Sequence, residues 1–378
     1  MNKSTTPRRV LHIVSAMKRG GAETLLMNVH RNLDRSKIQF DYVSHLDEKC
    51  DYDDEINLLG GRVFRIKSLG QLGPLGYINE LKRIMLQTNY TAVHAHTDYQ
   101  TGFAAFAAKR AGIHKRICHS HSNNWGKGSG FKGKIVLKTL QALIKYAATD
   151  YCACSKDAAR FLFGESWIEK NKFLLLKNGI DISQFTKSTS DNSNIRQELD
   201  IASDTKILGH VGRFSQSKNQ KFLLMILKQM LDDGKDVMAI LVGDGPCLQD
   251  VKDEARRLGI FEHIRFVGVR QDIPSLMRTF DVFLFPSLFE GFGIVALEAQ
   301  ASGTPCIASD VVSRSTDLGL GLISFISLEE HIEIWIKEIE KSFMQIRPDD
   351  QQIMSNFSKS GYDIQQNIEE WMSVYGVI

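Results

Sequence analysis

At 378 residues the chain exceeds what one ordinary hydrophobic core organises, and its length points to two domains. A hydrophobic fraction of 43% and a charged fraction of 24% belong to a folded globular protein and exclude the disordered and collagen-like classes. The net charge of +3 conceals a division: residues 1–187 carry 29 Lys+Arg against 16 Asp+Glu, a balance of +13, while residues 188–378 carry 18 against 28, a balance of −10. The change of sign predicts a boundary near residue 185 and an anionic partner for the first half.

In chain order, Arg8 and Arg9 precede "VLHIV", which is too short for the core of a signal peptide, and no run is long enough to span a bilayer. Strands are expected at residues 9–15, 40–46, 62–67, 92–96, 115–121 and 150–155, with helices between them, among them Ala22 to Leu33 and Thr101 to Ala111. Residues 174–196 are rich in Ser, Thr, Asn and Asp and read as a linker. Strands resume at 206–214, 237–245, 264–269, 281–287 and 304–309, and from about Leu328 the pattern is helical to the end. Strand and helix alternate in both halves, the signature of parallel βαβ units. Two doubly wound α/β domains are expected to leave a cleft at the carboxyl ends of their strands, where ligands bind. Six scattered cysteines predict reduced, buried thiols; "CAC" at Cys152 and Cys154 has no second pair at zinc spacing, so no metal site is assigned.

The segment "FPSLFEGFGIVALEAQASGTPCIAS" (285–309) is largely apolar, and its only charged residues are Glu290 and Glu298. Gly291 and Gly293 fall between a strand and a helix, where unpaired first-turn N–H groups favour an anion and glycines let it approach. Carboxylates repel phosphate but accept hydrogen bonds from neighbouring hydroxyls. A phosphate flanked by two polyols describes a nucleotide sugar. Arg213 and Lys218 in "GHVGRFSQSKN" supply cations for the phosphates. In the first half, Gly20 and Gly21 precede a helix and form a second anion-receptive start, although no dinucleotide G-x-G-x-x-G is present. His94 and His96, then His119 and His121, lie at two strand ends; His121 is suited to donate to sugar hydroxyls or to charge developing near an anomeric carbon.

Taken together, "GRFSQSKN", "VGDGP", "FVGVRQDIPSLM" and "FPSLFEGFGIVALEAQASGTPCIASD" resemble the donor-binding half of glycosyltransferase family 4, and "GGAE", "VHAHTD", "CHSHS" and "LKNGIDISQF" resemble its first half. The resemblance runs from about Val10 to Asp310 and is strongest to bacterial capsular, exopolysaccharide and lipopolysaccharide enzymes. It implies a GT-B fold of two Rossmann-like domains, 1–184 for the acceptor and 185–360 for the donor, with a crossover helix at 361–378 returning to the first domain. It implies that Arg213 and Lys218 bind the diphosphate, that Glu290 with the backbone from Phe292 through Gly293 to Ile294 holds the transferred sugar, and that Glu298 holds the ribose. Val269 and Arg270 would receive the base, Gly20 and Gly21 would lie near the phosphates, His121 near the sugar, and His96 and Asp98 toward the acceptor. The implied reaction is metal-independent, uses no cofactor beyond the nucleotide-sugar co-substrate (UDP-linked most often), and retains anomeric configuration. Its acceptor would be lipid-linked or an oligosaccharide. After Asp310 the chain departs from the family pattern, reading "VVSRSTDLGLGLISFIS".

As a helix, residues 131–147 align Val136, Leu137, Leu140, Leu143, Ile144 and Ala147 on a core stripe facing a sheet. Lys134, Lys138 and Lys145 form another stripe, beside Phe131, Ile135 and Tyr146. Lysines beside aromatics suit anionic headgroups and predict a cytoplasmic protein held peripherally at the inner face of the plasma membrane. No nucleic-acid module is present, and no nucleic-acid partner is expected. Two other functions share these features: a nucleotide-sugar 2-epimerase, and a non-catalytic sugar-nucleotide-binding subunit.

Overall fold

The structure, a computed structural model, describes residues 6–122, 131–186 and 192–377. Two compact units divide the chain: residues 1–179 with 364–378, and residues 180–363. The division thus falls at 179 and 363, against 184 and 360 in the sequence reading.

In the first unit the strands are β1 (Arg8–Ile13), β2 (Ile38–Ser44), β3 (Val63–Arg65), β4 (Tyr90–Ala95), β5 (Lys115–Ser120), β6 (Asp150–Ala153) and β7 (Leu174–Leu175). They form a parallel sheet in the order β3-β2-β1-β4-β5-β6-β7. Strand alternation sorts its two faces. Val10, Phe40, Tyr42, Ala92 and Ile117 pack with Leu25, Leu26 and Val29 on one side. Leu11, Ile13, Val43, Val93 and Ala95 pack with Leu81, Ile84 and Ala104 on the other. A sheet apolar on both faces is what helices on both sides require. The last helix, Ile364–Val374, buries Trp371 and Met372 in the first of these clusters.

In the second unit β8 (Lys206–Val211), β9 (Val237–Val242), β10 (Ile264–Gly268), β11 (Val282–Phe285), β12 (Cys306–Ser309) and β13 (Ile323–Ile326) run in the order β10-β9-β8-β11-β12-β13. Both sheets reverse direction of winding beside their first strand, between β1 and β4 and between β8 and β11. Ligands bind at such switch points, outside the carboxyl ends of the strands.

Three sequence expectations need correction. β7 lies inside the stretch read as linker, which also holds the helices Ser183–Thr186 and Asn192–Glu198; its residues 187–191 lie outside the described residues. β13 forms where no strand was read, because "ISFI" carries little alternation and pairs only with β12. Val136 is 49% exposed rather than on the core stripe. The helix Phe131–Ala147 is covered by a neighbouring helix around Leu143 and Ile144, where a Cβ on Gly102 would stand 3.1 Å from both side chains. The Phe131 side chain lies outside the described residues.

Candidate active site

In the second unit, two loops meet at the switch point. The first leaves β8 through Gly212 and Arg213 into a single turn, Gln216–Lys218. The second leaves β11 and reaches the helix Ile294–Ala301. Leu288 N–H donates to the Ser217 carbonyl at 2.7 Å, and Ser309 Oγ donates to the Ser287 carbonyl at 2.6 Å, so the two loops are joined to each other and to the end of β12. From β9, Gly243 and Gly245 press on the first loop: Cβ atoms there would sit 2.1 Å from Gly212 O and 2.3 Å from Phe214 O. That approach gives "VGDGP" a physical reason for its glycines.

Lys218 and Glu290, from different loops, form an ion pair at 2.5 Å with side-chain exposures of 19% and 15%. Ser287 Oγ donates to the same carboxylate at 3.3 Å, and Lys218 Nζ stands 4.8 Å from the Phe285 ring centroid. Gly293 takes φ +96 to start the helix; a Cβ on it would meet Phe285 Cε1 at 2.9 Å and Val312 Cγ1 at 3.2 Å. Phe292 is buried with its ring tilted at 36° to that of Tyr362, centroids 5.5 Å apart, while Ile294 is half-buried. The Glu298 carboxyl, one turn into the helix, has no ion-pair or hydrogen-bond partner among the described residues, and burial raises it to about 7. Arg213 is exposed and unpaired among the described residues. Val269 is 49% exposed. The Arg270 guanidinium, in contrast, is engaged by Glu198 at 2.5 Å and Asp272 at 2.7 Å, so its main chain and Val269 are what remain open to a base.

In the first unit, Gly20 is the extended residue before the helix Gly21–Asn32. A Cβ on Gly20 would stand 2.5 Å from Glu23 Oε2. Past β4, Asp98 adopts φ +46 and its carboxylate accepts from the His121 main-chain N–H at 3.0 Å; burial lifts it to about 6. His121 is half-buried, and burial lowers it to about 4. His96 is buried with both ring nitrogens committed, to His121 at 2.8 Å and to His12 at 3.0 Å. His94 pairs with His119 at 3.2 Å and with Tyr375 Oη at 2.7 Å. Five imidazoles from β1, β4, β5 and the residues after them therefore share one sheet face beneath Trp371 and Tyr375 of the C-terminal segment. Nitrogens of His12, His94 and His96, and again of His96, His119 and His121, lie within 4.8 Å of one another, a chemically competent donor set for a metal that the sequence reading did not consider.

Two family models match: glycosyltransferase family 4 over residues 19–184 and glycosyl transferases group 1 over residues 191–317. EpsF of Bacillus subtilis (strain 168), a protein assigned to the glycosyltransferases, is 42% identical over 99% of this chain and 98% of its own length.

The chain is a family 4 glycosyltransferase.

Other relatives of this glycosyltransferase include the capsular polysaccharide biosynthesis glycosyltransferase CapH of Staphylococcus aureus, 25% identical over 97% of this chain and 98% of that one. An Escherichia coli enzyme, UDP-Gal:alpha-D-GlcNAc-diphosphoundecaprenol alpha-1,3-galactosyltransferase, is 22% identical over 78% and 77%. Among solved structures, Anabaena Alr3699/HepE in complex with UDP and glucose has a TM-score of 0.78 at 23% identity, covering 98% of this chain and 100% of that one. The lipopolysaccharide glycosyltransferase WaaG gives 0.66 at 15%, covering 97% of both chains. These likenesses establish the GT-B fold for the glycosyltransferase.

Sequence reasoning missed His12 as the partner of His96, and Trp371 and Tyr375 as neighbours of the histidine rings. No local signal marks them, since each is an ordinary residue of its own segment. Gln220 was also missed: its side-chain amide joins the His210 ring at 3.2 Å and donates to the Arg213 carbonyl at 3.1 Å, bracing the first loop.

Proposed function

We propose that the enzyme transfers a hexose or N-acetylhexosamine from a UDP-sugar to a hydroxyl of a lipid-linked or oligosaccharide acceptor in cell-surface polysaccharide synthesis. The observation that carries the donor reading is the unpartnered Glu298 carboxyl on the helix that starts beside the Lys218–Glu290 pair. An amide-lined helix start with a cation and an exposed Arg213 suits a diphosphate; Glu298 suits the ribose diol, and Glu290 the transferred sugar. Relatives named for UDP-galactose transfer and capsule synthesis support the choice of substrates.

The reaction is read as metal-independent and retaining. Arg213, Lys218 and the first-turn N–H groups before Val295 stabilise the departing diphosphate, and a donor phosphate oxygen takes the proton of the attacking hydroxyl on the same face. His121 donates a hydrogen bond to a substrate oxygen.

Incubation of the protein with a panel of UDP-sugars and a polyprenyl-diphosphate-linked sugar tests this. Expected are a glycosylated lipid product with α-linkage from an α-linked donor, and turnover that survives EDTA. Conversion of donor without acceptor would identify an epimerase instead.

Membrane contact is part of the proposal. Lys134, Lys138 and Lys145 are exposed on one helix with Ile135 and Tyr146, which are 50% and 62% exposed, and Lys109 Nζ lies 3.7 Å from the Tyr146 ring centroid. Co-sedimentation with anionic but not zwitterionic liposomes at low salt is expected; no lipid-dependent pelleting would remove the idea.

A further inference from the structure

The chain His12–His96–His121 is continuous: His12 Nδ1 to His96 Nε2 at 3.0 Å, then His96 Nδ1 to His121 Nε2 at 2.8 Å. A neutral imidazole has one N–H and one lone pair. Three neutral rings in series can therefore orient in two ways only. If His121 donates from Nε2, His96 must donate to His12, and His12 carries its own proton on Nε2. That Nε2 is buried without a partner among the described residues, so this orientation strands an N–H in the core. In the opposite orientation His12 donates to His96, His96 donates to His121, and the stranded group is a lone pair. An orphaned buried N–H is the rarer and costlier of the two. Burial depresses all three rings and favours their neutral form near pH 7.

We infer that His12 and His96 are positioning residues that fix His121 as its Nδ1–H tautomer, so that His121 meets substrate as a hydrogen-bond donor through Nδ1. The inference rests on the proposed role of His121 toward a substrate oxygen, but the tautomer itself does not. Nδ1 makes no hydrogen bond with described residues. The His119 ring, stacked on His121 with centroids 4.0 Å apart and planes at 26°, holds the ring plane. The hydrogen bond from His96 to Nε2 thus sets which nitrogen of the His121 ring can face a substrate.

Two-bond proton–nitrogen NMR of protein labelled at histidine nitrogen reads the tautomer directly. The His121 signal is identified by its loss in His121→Gln. Expected is a pyrrole-type Nδ1 and a pyridine-type Nε2 at pH 7.5; the reverse assignment overturns the inference. In His96→Leu the donor to Nε2 is gone. Turnover is expected to fall by about 10–100-fold with little change in KM. In His96→Gln, whose amide can accept from His12 and donate to His121, most of that loss is recovered with the wild-type tautomer. Equal losses in both variants, or full turnover in His96→Leu, would overturn the role. Should His96→Leu fail to fold, the wild-type spectrum and His96→Gln still decide. Zinc chloride added at one equivalent is expected to leave the His121 and His96 signals in place. Stoichiometric displacement of both would make the cluster a metal site and overturn the hydrogen-bonded chain. Absence of sugar transfer with an Nδ1–H spectrum would fail the proposed function and leave the tautomer standing.

Discussion

Lys218 and Glu290 stand in the same relation to function and stability: each neutralises the other while presenting a charge to the proposed donor. Lys218→Ala and Glu290→Ala are each expected to lower transfer by about 10²–10³-fold, the scale of losing one electrostatic stabiliser. Each also strands its partner's partly buried charge, at about 1–3 kcal/mol, which leaves the fold intact by circular dichroism. Normal turnover in either variant removes that residue from the mechanism. Glu298 yields a pH prediction. Its folded carboxyl titrates at about 7, above the ordinary carboxylate range, so the folded state holds a proton that the unfolded chain releases. Its contribution to stability is complete below the unfolded value and is lost as pH rises through 7. A ribose diol donating to the carboxylate favours the ionised form, so UDP affinity in wild type should rise between about pH 6 and pH 8 relative to Glu298→Gln. Calorimetric titrations of both proteins with the same slope would exclude that contact. Glu290 and Glu298 were legible in the sequence because a charge in an apolar run is locally conspicuous. The partner of Arg270 was not, since Glu198 belongs to another element altogether.

At the scale of elements, the helix Ile294–Ala301 depends on Gly293. Its φ of +96 lies where an L side chain is strained, and Phe285 and Val312 leave no room for a Cβ. Gly293→Ala is expected to cost about 1–3 kcal/mol and to weaken UDP binding by displacing the helix start. An unchanged melting temperature would show that the turn can relax. The glycine was visible in sequence as a strand-to-helix break; the close approach that forbids a side chain was not, because Val312 comes from the divergent stretch past Asp310. The C-terminal helix shows the same split. Its amphipathic pattern was plain, yet that Trp371 covers the His12, His94 and His119 rings follows only from where the helix docks. Trp371→Ala should destabilise the first unit by about 3–5 kcal/mol, measured by denaturant unfolding, the usual cost of deleting a fully buried aromatic.

For the whole molecule, acid is the expected weakness. Burial lowers His12, His94, His96, His119 and His121 together, with His30, His45 and His210 each brought to about 4. The stability these neutral rings contribute is complete above the unfolded histidine value of about 6.5 and is lost as pH falls toward their folded values. Unfolding in this window should take up several protons, so the melting temperature should drop steeply between about pH 6.5 and pH 4. A flat profile over that range would mean that the rings take up protons in the native state as readily as in the unfolded chain.

Two α/β halves, most of their strands, the glycine-broken helix start, the cationic loop after β8 and the contrast of charge between halves were all determined by the sequence alone. Each is written in residues near one another, where periodicity, turn chemistry and composition act directly. Tertiary structure alone decided that Lys218 meets Glu290, that Arg270 is held by Glu198, and that Val136 lies open to solvent. It also decided that five histidines from separate segments stand in hydrogen-bonded register. Those facts depend on which strands become neighbours and how deeply each group is withdrawn from water, and a strand order of 3-2-1-4-5 joins β1 to β4 across nearly eighty residues. Proximity of that kind is set by packing of the whole unit, and no local pattern encodes it.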